Sequence, residues 1–146
     1  MAELRVTMNT GAEAVLGERV VEEFRAGLGG RLLRAGDDGY DEARKVWNGM
    51  IDRRPALIAR CAGVADVINC VNFARAHQLL VAVHGCGHNV AGNAVCDGGL
   101  MLDLSGMKGM RVDPVRRSGR ACHARPDDDV RRHRLRRAPA VRALLP

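Results

Sequence analysis

Leu79-Leu80-Val81-Ala82-Val83 runs straight into His84-Gly85-Cys86-Gly87-His88-Asn89-Val90-Ala91-Gly92, and the reading of this junction decides the fold. The continuous apolar run is short enough for a parallel strand covered on both faces. Glycines directly after a strand let backbone N–H groups approach an anion without interference from a Cβ. They also supply the positive φ that an anion-binding nest needs. Gly85 and Gly87 therefore mark a candidate phosphate loop. A dinucleotide fingerprint has to be tested here, because Gly85-x-Gly87 is present and Asp103 follows 18 residues later. It fails on context. The fingerprint must open a helix, whereas residues 88–99 contain Gly92, Gly98 and Gly99 and carry no helical stripe.

Upstream of the loop, Val64, Val67, Ile68 and Val71 recur at helical spacing and predict a helix over 64–77 with that apolar stripe turned inward. Asp66 falls in its first turn, where a negative charge suits the helix dipole. Ala56–Cys61 reads as a short buried strand, so strand 56–61, helix 64–77 and strand 79–83 form a βαβ unit with a right-handed crossover. Downstream, Leu100–Leu104 predicts another strand, and Met110–Pro114 a further short one with a proline stop. Nearer the N-terminus, Leu16, Val20, Phe24 and Leu28 predict a helix over 12–28, stopped by Gly29-Gly30. Residues 31–40 read as a loop, and 41–49 as a short helix carrying Val46 and Trp47. Trp47 and Phe73 read as core residues. The fold class these elements imply is α+β.

The chain has 146 residues, 47% of them apolar, which excludes disorder throughout. No stretch approaches a membrane span, and the first twenty residues show no secretory signal, so a cytoplasmic protein is expected. Its five cysteines, an odd number without a CxxC pair, fit reduced thiols rather than a disulfide framework. The net charge of +6 is unevenly placed. Residues 1–114 hold 13 basic and 14 acidic side chains, whereas residues 115–146 hold 10 Arg against 3 Asp, so the whole excess lies in the tail. All four aromatics, Phe24, Tyr40, Trp47 and Phe73, precede that tail.

Several separated blocks occur in a fixed order: Gly36-Asp37-Asp38, Trp47-Asn48, Arg54-Pro55-Ala56-Leu57-Ile58, Ala65-Asp66-Val67, Val81-Ala82-Val83-x-Gly85-x-Gly87-His88-Asn89, Cys96-Asp97-Gly98-Gly99-Leu100 and Asp103-Leu104-Ser105. Together they resemble the start of the berberine-bridge-enzyme-like FAD-linked oxidases, whose FAD domain is of the p-cresol-methylhydroxylase (PCMH) type. The resemblance implies the N-terminal half of such an α+β domain, a small βαβ-containing sheet flanked by helices, over residues 31–114. It implies FAD as cofactor, with His84, Gly85, Cys86, Gly87, His88 and Asn89 forming the loop around the pyrophosphate. It also implies His88 as the residue tethered to the 8α-methyl of the flavin. An imidazole nitrogen carries the lone pair that attack on that electrophilic carbon requires. Family members oxidise alcohols, sugars or related small molecules and pass the electrons to O2.

Two loop positions depart from the family pattern. His84 stands where an arginine is usual, and an imidazole lacks the permanent charge and fork of a guanidinium. Cys86 stands at a glycine position, where a left-handed backbone would cost about 1–2 kcal/mol. Both predict a weaker hold on the pyrophosphate. Relative to the family the chain is also short, so the expectation is a truncated, catalytically incomplete form whose substrate domain and catalytic base are missing. A small-molecule substrate is then expected only if those regions complete the site. Exposed apolar surface and an open sheet edge predict aggregation.

The remaining segments carry blander readings and two alternatives. Residues 1–30 read as an N-terminal helical segment. Residues 115–146 read as an irregular or out-of-frame Arg-rich tail, with 130–137 its one stretch of helical character. That tail would attract nucleic acid nonspecifically, without the aromatics or fold of a dedicated binder. His84, Cys86 and His88 would share one face of a strand and, with Cys96, form a small metal-binding module, but the glycines between them favour a loop and no resident metal. Cys61, Cys70 and Cys96 read as structural thiols. Asp103 reads as a partner of neighbouring backbone rather than a catalytic group.

Overall fold

The computed structural model describes residues 3–116 and 118–122. They fall into two compact units divided between Gly106 and Met107. The first unit begins with a hairpin in which β1 (Glu3–Thr7) pairs antiparallel with β2 (Glu13–Gly17). Val6 and Leu16 are its buried positions. The helix expected over 12–28 is therefore shorter, and α1 runs Glu18–Ala26. Leu16 does continue the four-residue repeat, but pairing with Leu4 of β1 draws it into a strand, a tertiary contact overriding a local pattern. α1 buries Val21 and Phe24, and the Phe24 ring stacks on Phe73 with centroids 3.9 Å apart and planes 7° from parallel.

The central sheet has the order β3-β4-β6-β5. Its strands are β3 (Arg31–Leu33), β4 (Leu57–Arg60), β5 (Val81–His84) and β6 (Leu100–Asp103). β3 lies antiparallel to β4, within the segment expected as a loop; Leu32 and Leu33 are buried there. β4, β6 and β5 run parallel. The expected strand–helix–strand unit is present, but β6 is inserted between its two strands. β5 is consequently an edge strand, and Val81 and Val83 are exposed where cover on both faces was expected. β6, at the centre, is buried at every position. The segment expected as a helix over 41–49 is a single turn, α2 (Tyr40–Ala43). Tyr40 is buried, and its hydroxyl donates to the Pro55 carbonyl oxygen at 2.7 Å.

α3 (Val64–Ala76) forms as the periodicity predicts, but its inward face is rotated by about a third of a turn from the apolar stripe, leaving Val67 half-buried at the boundary. Its buried residues are Asp66, Cys70 and Ala74, while Val64, Ile68 and Val71 are 51%, 53% and 44% exposed. Two features accompany the rotation. Small side chains let the helix approach the sheet closely, and the Asp66 carboxylate has backbone partners inside. Its Oδ1 accepts the Gly29 N–H at 2.8 Å and its Oδ2 the Ala62 N–H at 2.7 Å. Gly30, expected only as part of a helix stop, has a packing reason of its own: a Cβ there would collide with the Arg60 carbonyl.

The second unit contains a hairpin in which β7 (Gly109–Asp113) pairs antiparallel with β8 (Ser118–Cys122). β7 matches the short strand expected there. β8 lies inside the segment expected to be irregular, because pairing supplies the order that its composition does not suggest. The expectations for residues 123–146, including helical character at 130–137, lie outside the described residues. Among the described residues, no helix is long and apolar enough to cross a membrane.

Candidate functional site

The three parallel strands end side by side at Arg60, Asp103 and His84, with Asp103 in register between the other two. In sheets of this kind ligands gather beyond the carboxyl ends of the strands. Asp103 is buried; its Oδ2 accepts from Arg60 Nε at 3.1 Å and its Oδ1 from the Ser105 N–H at 2.9 Å. It therefore fixes the strand ends, as its reading as a backbone partner implies. The Leu104 N–H donates to the His84 carbonyl oxygen at 2.7 Å, tying the exit of β6 to the start of the glycine loop.

His84 does not face outward with the loop. Its side chain is 92% buried, and Nδ1 has no hydrogen-bond partner among the described residues. Gly87 lies over it with φ +70°. A Cβ on Gly87 would be 3.1 Å from His84 Cε1 and 3.3 Å from the Val46 Cα. The Gly87 carbonyl accepts the Trp47 N–H at 3.0 Å. This is the loop position that both the backbone angle and the packing reserve for glycine. A Cβ on Gly85, by contrast, would meet nothing within 4 Å, so the backbone there is open to a ligand. Cys86 is exposed, and among the described residues Gln78 is the sole non-glycine with positive φ. Cys86 therefore sits in an ordinary backbone conformation, and the left-handed penalty expected for it does not arise.

His88 and Asn89 follow on the exposed side. Asn89 closes the loop: its carbonyl accepts the Gly92 N–H at 3.1 Å and its Oδ1 the Asn93 N–H at 3.2 Å. Gly92, at φ +75°, packs on Ile51, and Arg53 Nη1 donates to the Gly92 and Val95 carbonyls at 3.3 and 3.2 Å. Residues 46–53 thus strap the glycine loop from one side.

That strap holds the side chain the sequence reading misplaced. Trp47, expected in the core, is 72% exposed, and its ring centroid lies 6.2 Å from that of His88 at an interplanar angle of 41°. The available signal was its position in the ordered blocks, in a chain with one tryptophan.

The metal alternative fails on geometry. β5 ends at His84, so the alternation needed to align His84, Cys86 and His88 is absent. Among the described residues, no three His, Cys, Asp or Glu side chains come together to hold an ion. Cys96 is buried in the core with Tyr40, Ile58 and Met101, and burial pushes its thiol up to about 11. Cys61 and Cys70 are buried as well; their mutual hydrogen bond holds the Cys61 thiol down and, together with burial, raises that of Cys70.

Comparison with known proteins gives this arrangement a context. Residues 55–126 match the family model described as "FAD binding domain", a match that continues past residue 114, where the family pattern was expected to stop. The chain is 38% identical over 84 residues to (R)-6-hydroxynicotine oxidase of Paenarthrobacter nicotinovorans, covering 58% of this chain and 18% of that protein. It is 35% identical over 96 residues to an FAD-linked oxidoreductase of Dictyostelium discoideum, covering 65% and 21%. Among solved structures, BBE-like 1 of Physcomitrella patens superposes with a TM-score of 0.59 at 25% identity, covering 65% of this chain and 21% of that one. The chain spans about a fifth of the length of these proteins.

The residues present fit FAD. Gly85 leaves backbone open at the strand end, a Cβ on Gly87 would press to 3.1 Å from His84 and 3.3 Å from Val46, and buried His84 Nδ1 lies beneath the loop with no partner among the described residues.

Proposed function

We propose that the chain carries part of an FAD-binding domain of the berberine-bridge-enzyme-like FAD-linked oxidases, a reading supported by the family match and the relatives above, and that His84, Gly85, Cys86, Gly87, His88 and Asn89 hold the cofactor, with His88 as its covalent attachment point. The observation that carries this reading is the loop geometry. Gly87 is locked against Val46 and His84, Gly85 is open, and the loop delivers His88 to the exposed side beyond the strand ends. Exposed backbone N–H groups at a glycine turn suit the pyrophosphate. His84 braces the loop from beneath in place of an arginine reaching the phosphate. Bound FAD would supply the two-electron acceptor for a small alcohol, sugar or related substrate. Within this chain the residues bind and orient, and none of those described is assigned as a catalytic base.

The domain reading is a partial PCMH-type segment that follows an N-terminal segment (1–30), begins at about residue 31 and, by the family match, runs past the expected limit of 114 into the start of the Arg-rich tail (115–146). We place the protein in the cytoplasm, a reading supported by free Cys61, Cys70, Cys86 and Cys96. A small-molecule substrate is its partner where further regions complete the site, and nucleic acid binds only nonspecifically through the tail.

The test is to incubate the purified chain with FAD, precipitate it with acid and read flavin absorbance in the pellet. The expected result is a yellow, acid-stable adduct that His88→Ala abolishes, while reversible FAD binding by that variant persists. A colourless pellet together with no reversible FAD binding would overturn the reading.

A further inference from the structure

We propose that Trp47 is the aromatic platform against which the flavin ring rests beside His88, and so a positioning residue for the tether; this rests on the function proposed above. Three of the four aromatic side chains are accounted for inside the fold. Tyr40 and Phe24 are buried, and Phe73 stacks on Phe24. Trp47 is turned out to solvent instead, though the same short segment buries part of Val46 and Ile51 against the core. Its backbone is not free to move away, because its N–H donates to the Gly87 carbonyl at 3.0 Å. The strap and the loop are thus one framework, with the indole beside the His88 imidazole at a centroid distance of 6.2 Å.

A large exposed indole fixed to a candidate cofactor loop calls for a flat apolar occupant. An isoalloxazine is such a surface, and its dimethylbenzene edge, which bears the 8α-methyl, is the part that must lie at His88. Offset or tilted aromatic contact is the favourable arrangement for such rings. Packing on Trp47 would bring that edge to the histidine before any bond forms; forming the N–C bond would break the imidazole N–H and one methyl C–H, and the two hydrogens would reduce the flavin ring, from which O2 would take them as peroxide.

The experiment uses the 146-residue chain, Trp47→Ala and Trp47→Phe, each loaded with FAD. Trp47 is exposed, so its replacement leaves the fold intact, which circular dichroism verifies. The expected result is a bound flavin whose emission is strongly quenched by the indole in the parent and rises several-fold in Trp47→Ala, with Trp47→Phe between them. Reversible FAD affinity should fall about two- to tenfold in Trp47→Ala, the range for losing one aromatic contact. The rate of acid-stable adduct formation should fall with it. If all three proteins retain flavin with equal affinity, equal adduct rate and equal emission, the Trp47 proposal is overturned while the loop assignment stands. If none retains flavin in any form, both are overturned.

Discussion

The carboxylate of Asp66 accepts the backbone N–H of Gly29 at 2.8 Å, joining the entry of the β3 edge strand to the first turn of α3 across 37 residues of sequence. The second oxygen accepts the Ala62 N–H at 2.7 Å, and the side chain is buried. One ionisable group thus fixes two chain reversals. Asp66→Ala leaves two backbone donors without partners and should cost about 2–4 kcal/mol. Asp66→Asn retains one acceptor oxygen and should cost roughly half of that. Urea unfolding of the three proteins, read by circular dichroism, checks the order.

The rotated face of α3 makes a second prediction, contrary to what hydropathy suggests. Ile68 and Val71 are about half exposed, so Ile68→Ser and Val71→Ser should change stability by no more than about 0.5 kcal/mol. Ala74 is buried, and Ala74→Leu should cost about 1–3 kcal/mol through overpacking. Midpoints from the same denaturation experiment decide between the two faces.

This rotation also marks the limit of what the sequence makes legible. The existence and length of α3 follow from its periodicity, but which face turns inward depends on partners that no local window contains, namely the N–H groups of Gly29 and Ala62. The position of β6 between β4 and β5 is equally non-local, so the exposure of Val81 and Val83 could not be read from their apolar run. The glycine loop was legible because its chemistry is local: a strand end, glycines and a histidine within nine residues. Trp47 was misread because a lone tryptophan is more often buried, and the hydrogen bond that pins it to Gly87 spans 40 residues.

Within the loop, Gly85 and Gly87 should separate stability from cofactor retention. Gly87→Ala places a Cβ in a left-handed backbone at φ +70°, 3.3 Å from the Val46 Cα, and should destabilise by at least about 1–2 kcal/mol. Gly85→Ala meets no neighbour and should melt within a degree or so of the parent. Under the proposed function it should nonetheless lose FAD, because its Cβ occupies the approach to the exposed backbone. Thermal melting paired with FAD retention after gel filtration reads both effects; retention unchanged in Gly85→Ala would count against pyrophosphate at that position.

Alkaline pH should destabilise the fold through Cys96. Its thiol is buried, and burial raises its pKa from an ordinary 9.0 to about 11. Well below pH 9 the thiol is protonated in both folded and unfolded chains, so it contributes no pH dependence there. Between about 9 and 11 the unfolded chain releases this proton while the folded chain keeps it, so the folded state binds more protons and rising pH favours unfolding. The loss approaches a limit on the order of 3 kcal/mol once both states are ionised. Tyr40, whose hydroxyl is raised above 10.0 chiefly by burial, adds to the loss in the same direction at higher pH. Cys96→Ala should therefore show a shallower fall in Tm from pH 8 to pH 11 than the parent, whatever its Tm at neutral pH. Parallel slopes for the two proteins would mean that the Cys96 proton is not held by the fold.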